Sequence, residues 1–158
     1  MKKIMLILAI TLTANMAKAD DLSDGWAAKD NGDYATVLNL WKPLAEQGNA
    51  EAQFVLGNLY DYGEGVNQDY REAVRLYRLA ADQGHADAQH NLGLMYANGW
   101  GVLQDNKKAH MWFNIARSNG SYWADDNIKS ITQRMTPADI SKAQDMAERC
   151  LASNYQDC

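Results

Sequence analysis

Three histidines, two cysteines and several clusters of acids are the residues with the chemistry to hold a metal, relay a proton or attack a substrate. His85, His90 and His110 do not form the paired spacing, with an intervening Glu, that lets one helix face grip zinc and activate water. His85 follows a glycine that ends a helix and His110 lies on a helical stretch, so both read as packing or surface residues. Cys150 and Cys158 sit close together near the end of the chain. In an exported protein such an even pair reads as a disulfide tying the tail to the last helix. Half a metal site is the alternative, but no histidine follows His110 to complete it. Once bonded, neither thiol is a nucleophile, and no Gly-x-Ser-x-Gly elbow presents a serine.

Asp20, Asp21 and Asp24, and later Asp125-Asp126, lack the spaced Asp/Asn/Gly ladder and closing Glu of a calcium loop, and read as acidic helix starts. Gly63-x-Gly65 and Gly99-x-Gly101 follow helices rather than strands and lack the third glycine of a phosphate-cradling turn. Asn119-Gly120-Ser121 has the form of a glycosylation sequon, but Gly120 is already accounted for as a helix terminator. The expectation is a protein without catalytic residues, metal or cofactor, and not an enzyme.

The elements that carry these residues repeat. Ala50-Glu51-Ala52-Gln53 returns as Ala86-Asp87-Ala88-Gln89, and Leu56-Gly57-x-x-Tyr60 returns as Leu92-Gly93-x-x-Tyr96. Gly63-x-Gly65-Val66-x-Gln68-Asp69 returns as Gly99-x-Gly101-Val102-x-Gln104-Asp105, every offset being 36 residues. A fixed period of this length is the signature of stacked supersecondary units. Each unit reads as two helices. Ala52, Leu56, Leu59 and Tyr60 share a helical face over residues 50–62, and Ala73, Leu76, Tyr77 and Ala80 share one over 70–83. Gly63 and Gly65 break the chain between them, Asp69 is an N-cap, and Gly84 is a left-handed C-cap. Gly57 and Gly93 lie mid-helix, where glycine costs about 1 kcal/mol against alanine. Meeting that cost twice in one register predicts a helix crossing with no room for a side chain, and makes Gly57, Tyr60, Gly93 and Tyr96 structural.

The flanking units are degenerate. Leu22–Lys29 and Tyr34–Glu46 read as a hairpin, residues 122–134 as a further first helix, and Thr136-Pro137 as the start of a final amphipathic helix. Eight helices in four hairpins, with no strand, give an all-α chain. Residues 1–19 read as a leader: Met1-Lys2-Lys3, an apolar run over Ile4–Thr13, then Ala17-Lys18-Ala19 as the cleavage signal before Asp20. The run is too short to anchor the chain in a bilayer. Removing it takes away three lysines and no acid, so the formal net charge goes from −5 to −8. Such an acidic chain excludes nucleic acid and anionic membrane surfaces as partners. The expected location is the periplasm or the medium.

The repeated pattern, from Ala-x-Ala-Gln through Leu-Gly-x-x-Tyr and Gly-x-Gly-Val to a pair of bulky side chains and a closing glycine, resembles the Sel-one-like repeat (SLR), a branch of the tetratricopeptide (TPR) superfamily. The match covers full repeats at 50–85 and 86–121, with a degenerate hairpin at 20–49 and a half-repeat plus capping helix at 122–158. The resemblance implies a right-handed α-solenoid whose first helices line a concave, partner-binding face. Carried over, that face is Glu51, Phe54, Asn58, Asp61 and Tyr62, then Asp87, His90, Leu94, Ala97 and Asn98. For Phe54 and Leu94, packing on the adjacent unit stands equally open. The expected partner is a protein or an extended peptide, basic or neutral given the acids. Cysteine-rich relatives have been associated with penicillin binding and weak β-lactamase activity, which makes a cell-wall (peptidoglycan) enzyme or β-lactam-binding protein the alternative. Their hallmark is a disulfide inside each repeat, and residues 50–121 contain no cysteine.

Overall fold

The computed structural model describes residues 20–158, so the expected leader at 1–19 lies outside the described residues. Eight helices and no strand occur among the described residues. They are α1 (20–30), α2 (Tyr34–Glu46), α3 (Ala50–Tyr62), α4 (Tyr70–Ala81), α5 (Ala86–Asn98), α6 (Asn106–Ser118), α7 (Ala124–Thr132) and α8 (Pro137–Ala152). From α2 to α7 each helix packs on the next, and α8 returns to α6, giving an α-solenoid of stacked hairpins.

Local chemistry starts and stops the helices. Asp69 and Asp105 begin α4 and α6, each Oδ1 accepting from two amides of the first turn, at 2.9 and 3.1 Å in both repeats. Gly63 and Gly99 end α3 and α5 in the left-handed region, at φ 72° and 74°, where a side chain would be strained. Asn49 caps α3, and the residue 36 places on, His85, caps α5 with its ring: the Ala88 amide donates to Nδ1 at 3.2 Å. Thr136 caps α8, with Pro137 in the first turn. α7 is shorter than the sequence leads one to expect. Trp123 at its N-terminus offers no capping oxygen, and the chain turns away after Thr132.

The repeated glutamine joins one hairpin to the next. Gln53 Nε2 donates to the Ala45 carbonyl at 3.0 Å and Gln89 Nε2 to the Ala81 carbonyl at 2.9 Å. Their Oε1 atoms accept from Gln83 and from Asn119, both at 2.8 Å. Both glutamines are buried with donor and acceptor satisfied, so the polar atoms cost little and fix the register of the stack.

The mid-helix glycines lie where the helices cross most closely. A Cβ on Gly57 would stand 2.7 Å from the Tyr77 ring, and one on Gly93 would stand 2.5 Å from the Phe113 ring. Each crossing exchanges a helix-favouring methyl for a fully buried aromatic ring. At the C-terminus Cys150 and Cys158 are disulfide-bonded, Cα atoms 4.8 Å apart. The loop they close presents Tyr155, whose hydroxyl accepts from Asn119 at 2.8 Å.

Candidate functional site

Helices α3, α5 and α7 are the first members of successive hairpins, and one cleft runs across all three. Phe54 and Tyr62 come from α3, Asp87, His90, Asn91 and Leu94 from α5, and Trp123 from the turn that opens α7. A second cleft continues it through the shared Tyr62, Asn91 and Leu94 towards Asp61, Tyr70 and Trp100. Together they make one groove. Its rim is aromatic and open: Tyr62 is 68% and Trp123 60% exposed. Trp123 stands edge-on to Tyr122 with ring centres 5.0 Å apart, and Trp100 stacks on Tyr70 at 5.7 Å.

Beneath the groove lies a polar network that belongs to the scaffold. The fully buried Tyr77 reaches Asn58 Oδ1 at 2.7 Å and Asp61 Oδ2 at 3.0 Å with its hydroxyl, and Asn91 Nδ2 donates to the same Asn58 oxygen at 3.1 Å. Burial raises the Asp61 carboxyl above its ordinary range, opposed by the Tyr77 hydrogen bond. Burial, and then the Asp61 charge, push the Tyr77 hydroxyl far up, so it stays a donor. In the next repeat the same places hold Leu94, Ala97 and Phe113. The hydroxyl and the two oxygens within its reach disappear together, so no polar group is left there without its partner.

His90 is 8% exposed and sits in the cleft floor rather than on its surface. Its Nε2 accepts from Asn127 Nδ2 at 2.9 Å, so Nδ1 carries the proton and faces Asn91 Oδ1 at 3.3 Å. Burial, partly opposed by the Asn91 hydrogen bond and the Asp87 charge, lowers its pKa below the ordinary histidine value. The ring is neutral and adds no positive charge to the groove. At the other end of α3, His85 stacks on Phe54 with ring centres 4.6 Å apart and meets Glu51 at 3.2 Å. His110 is buried on α6, away from the groove, its Nδ1 accepting from Asn114 at 2.9 Å.

Of the residues expected on the concave face, Phe54, Tyr62, Asp87, His90 and Leu94 line the first cleft, and Asp61 joins Tyr62 and Leu94 in the second. Glu51, Asn58 and Asn98 line neither. Glu51 is engaged by His85, Asn58 by Tyr77, and Asn98 folds back to donate to the Leu94 carbonyl of its own helix. Ala97 is buried. The sequence reading did not include Asn91, Trp100, Tyr70 or Trp123. Trp123 carried a usable signal, because Glu51, Asp87 and Trp123 occupy one register position 36 residues apart. Among the described residues no group of three or more His, Cys, Asp or Glu converges as metal ligands would.

The Sel1 repeat family model matches residues 50–85 and 86–121. The chain is similar to a protective antigen present in uropathogenic Escherichia coli strains displaying an SLR fold. Identity is 25% and the TM-score 0.81, over 87% of this chain and 31% of the antigen. It is also similar to a Sel1 repeat protein from Oxalobacter formigenes, at 34% identity and a TM-score of 0.64, over 69% of this chain and 45% of that one. The chain therefore spans less than half the length of either. No curated protein matches it.

Proposed function

Because this chain is a Sel1-like repeat protein of the tetratricopeptide-like superfamily, we propose that it is an exported interaction module that holds a peptide or protein segment in the groove across α3, α5 and α7. Sel1 repeat scaffolds are generally non-catalytic modules for protein contacts. The observation that carries the reading is the groove rim. Tyr62 and Trp123 both line one cleft and expose large rings there, on a face where neighbouring polar side chains are engaged in packing. Exposed aromatics over a formed floor are the side chains that dominate binding energy at protein interfaces.

Export rests on the composition of residues 1–19 and on the Cys150–Cys158 bridge, which persists in an oxidising compartment. No helix among the described residues is long and apolar enough to cross a membrane.

A photo-crosslinking amino acid placed at position 62, and for comparison at the exposed Lys142 on α8, tests the groove. In cells producing the protein, the expected result is a discrete adduct from position 62 that disappears when Trp123→Ala is added. An adduct from position 142 alone, or one from 62 indifferent to Trp123, overturns the groove as the working surface. Intact mass of the cell-derived protein tests export, with Asp20 as the expected first residue; retention of residues 1–19 overturns it.

A further inference from the structure

We propose that the cleft between Tyr62 and Trp123 is a cation subsite, built for the lysine or arginine side chain of a bound segment, with Asp87 as its counter-charge. The inference rests on the groove reading above and adds the chemistry of what enters it.

Charge is segregated by helix. Residues 43–70 and 79–106, which contain α3, α5 and the loops after them, carry no Lys or Arg but hold Glu51, Asp61, Glu64 and Asp87. Within the two repeats, residues 50–121, every base lies on α4 or α6, where Arg75 pairs with Glu72, Arg78 with Asp82 and Lys107 with Asp139. Lys129, the one base of α7, does not line the cleft. His90, the remaining group there able to become positive, accepts a hydrogen bond and is neutral. The negative surroundings are felt by Tyr62 itself: after burial, the charges of Asp61 and Glu64 push its hydroxyl pKa up.

The rings point the same way. Three aromatics of this fold already carry a cation over their faces: Lys29 over Trp26 at 5.3 Å, Arg78 over Trp112 at 5.1 Å and Lys108 over Tyr96 at 5.2 Å. Among the described residues, Tyr62 and Trp123 carry none, although they are more exposed than any of those three. A ring face attracts a cation through its quadrupole, and the attraction grows as water is excluded. The floor suits the rest of such a side chain. Phe54 and Leu94 are half-buried apolar surface for the methylene stem, while the charged head remains at the rim beside Asp87. Asn91 is held from two sides, by Asn58 and His90, so the floor is set before anything binds.

The probes are blocked pentapeptides, glycine throughout except for a central Lys, Arg, norleucine or Glu, titrated into the millimolar range against the 15N-labelled protein. The Lys and Arg peptides are expected to shift the Trp123 indole N–H resonance saturably, and their ratio tells ammonium from guanidinium preference. Norleucine, which keeps the stem and lacks the charge, and Glu are expected to bind at least roughly threefold more weakly. Tyr62→Ala should weaken the cationic peptides by roughly two- to fivefold and Asp87→Asn by a similar factor, with circular dichroism unchanged. Norleucine binding as well as Lys would overturn the cation subsite and leave an apolar one, with the groove reading intact. Saturable shifts confined to residues outside the cleft, or no shift from either cationic peptide, overturn it too. A crosslinked partner at position 62 would still stand in that case, so the two readings fail separately.

Discussion

Replacing Gly93 by alanine sets two opposing effects against each other at one atom. In a helix interior alanine is favoured over glycine by about 1 kcal/mol, so α5 alone would gain. The new Cβ, however, would sit 2.5 Å from Phe113 Cε1 and 2.6 Å from Cδ1, well inside ordinary van der Waals contact. Phe113 is 1% exposed and cannot swing into solvent, so α5 and α6 must part or the ring must leave its rotamer. Overpacking of this kind costs about 1–3 kcal/mol, and with so short a contact the upper half of that range applies. The net expectation is a loss of about 1–2 kcal/mol, or a thermal midpoint lower by about 3–7 °C. A double-mutant cycle separates this cause from general damage. Phe113→Leu alone should also destabilise, through the space it leaves. In Gly93→Ala/Phe113→Leu the methyl occupies part of that space, so the double variant should be at least about 1 kcal/mol more stable than the two losses added together. Urea titrations followed by circular dichroism, compared at a common slope, give the four free energies. A higher midpoint for Gly93→Ala, or additivity within about 0.5 kcal/mol, would refute the close-crossing account.

Tyr77→Phe should cost about 1–3 kcal/mol by leaving Asn58 and Asp61 without the hydroxyl. Adding Asn58→Leu and Asp61→Ala, which installs the Leu94, Ala97 and Phe113 set of the next repeat, should recover most of it in thermal melts. The Cys150→Ser/Cys158→Ser variant should keep its helical circular dichroism and lose no more than about 2–3 kcal/mol, since the bridge closes a loop only at the tail. Acid should destabilise the fold through His90 and His110. Burial lowers the pKa of both in the folded chain, so below about pH 6.5 the unfolded chain binds more protons. Their contribution is fully present above pH 6.5 and falls away as pH drops through the folded values. Asp61, raised by burial, acts in the opposite sense as it takes up its proton. Melts from pH 8 to 5 should show the midpoint falling below 6.5, and His110→Gln should flatten the fall; an unchanged slope in that variant would remove His110 from the account.

Much of the fold was legible because the information that sets it is local and repeated. Asp69 and Asp105 cap by their own side chains, Gly63 and Gly99 supply a backbone conformation other residues avoid, and each recurs at the same offset. Gly57 and Gly93 announced a close crossing because nothing local justified them. The ring that fills each space was less legible, since Tyr77 and Phe113 meet the glycines from a neighbouring helix. Trp123 could have been placed in the groove by carrying the period one step past Asp87, although a tryptophan there does not look like the acids it replaces.

What the sequence determined by itself is the period, the helices and their caps, all properties of spacing along the chain. Which residues on the groove side remain free was decided only in the tertiary structure. Asn58 and His90 look like surface polar residues in sequence, yet Tyr77 and Asn127 engage them from other helices. Among the described residues, Tyr62 and Trp123 meet no such partner and stay open. A side chain's exposure depends on the size and polarity of what stacks against it one helix or one repeat away, and that is set by packing rather than by its own position.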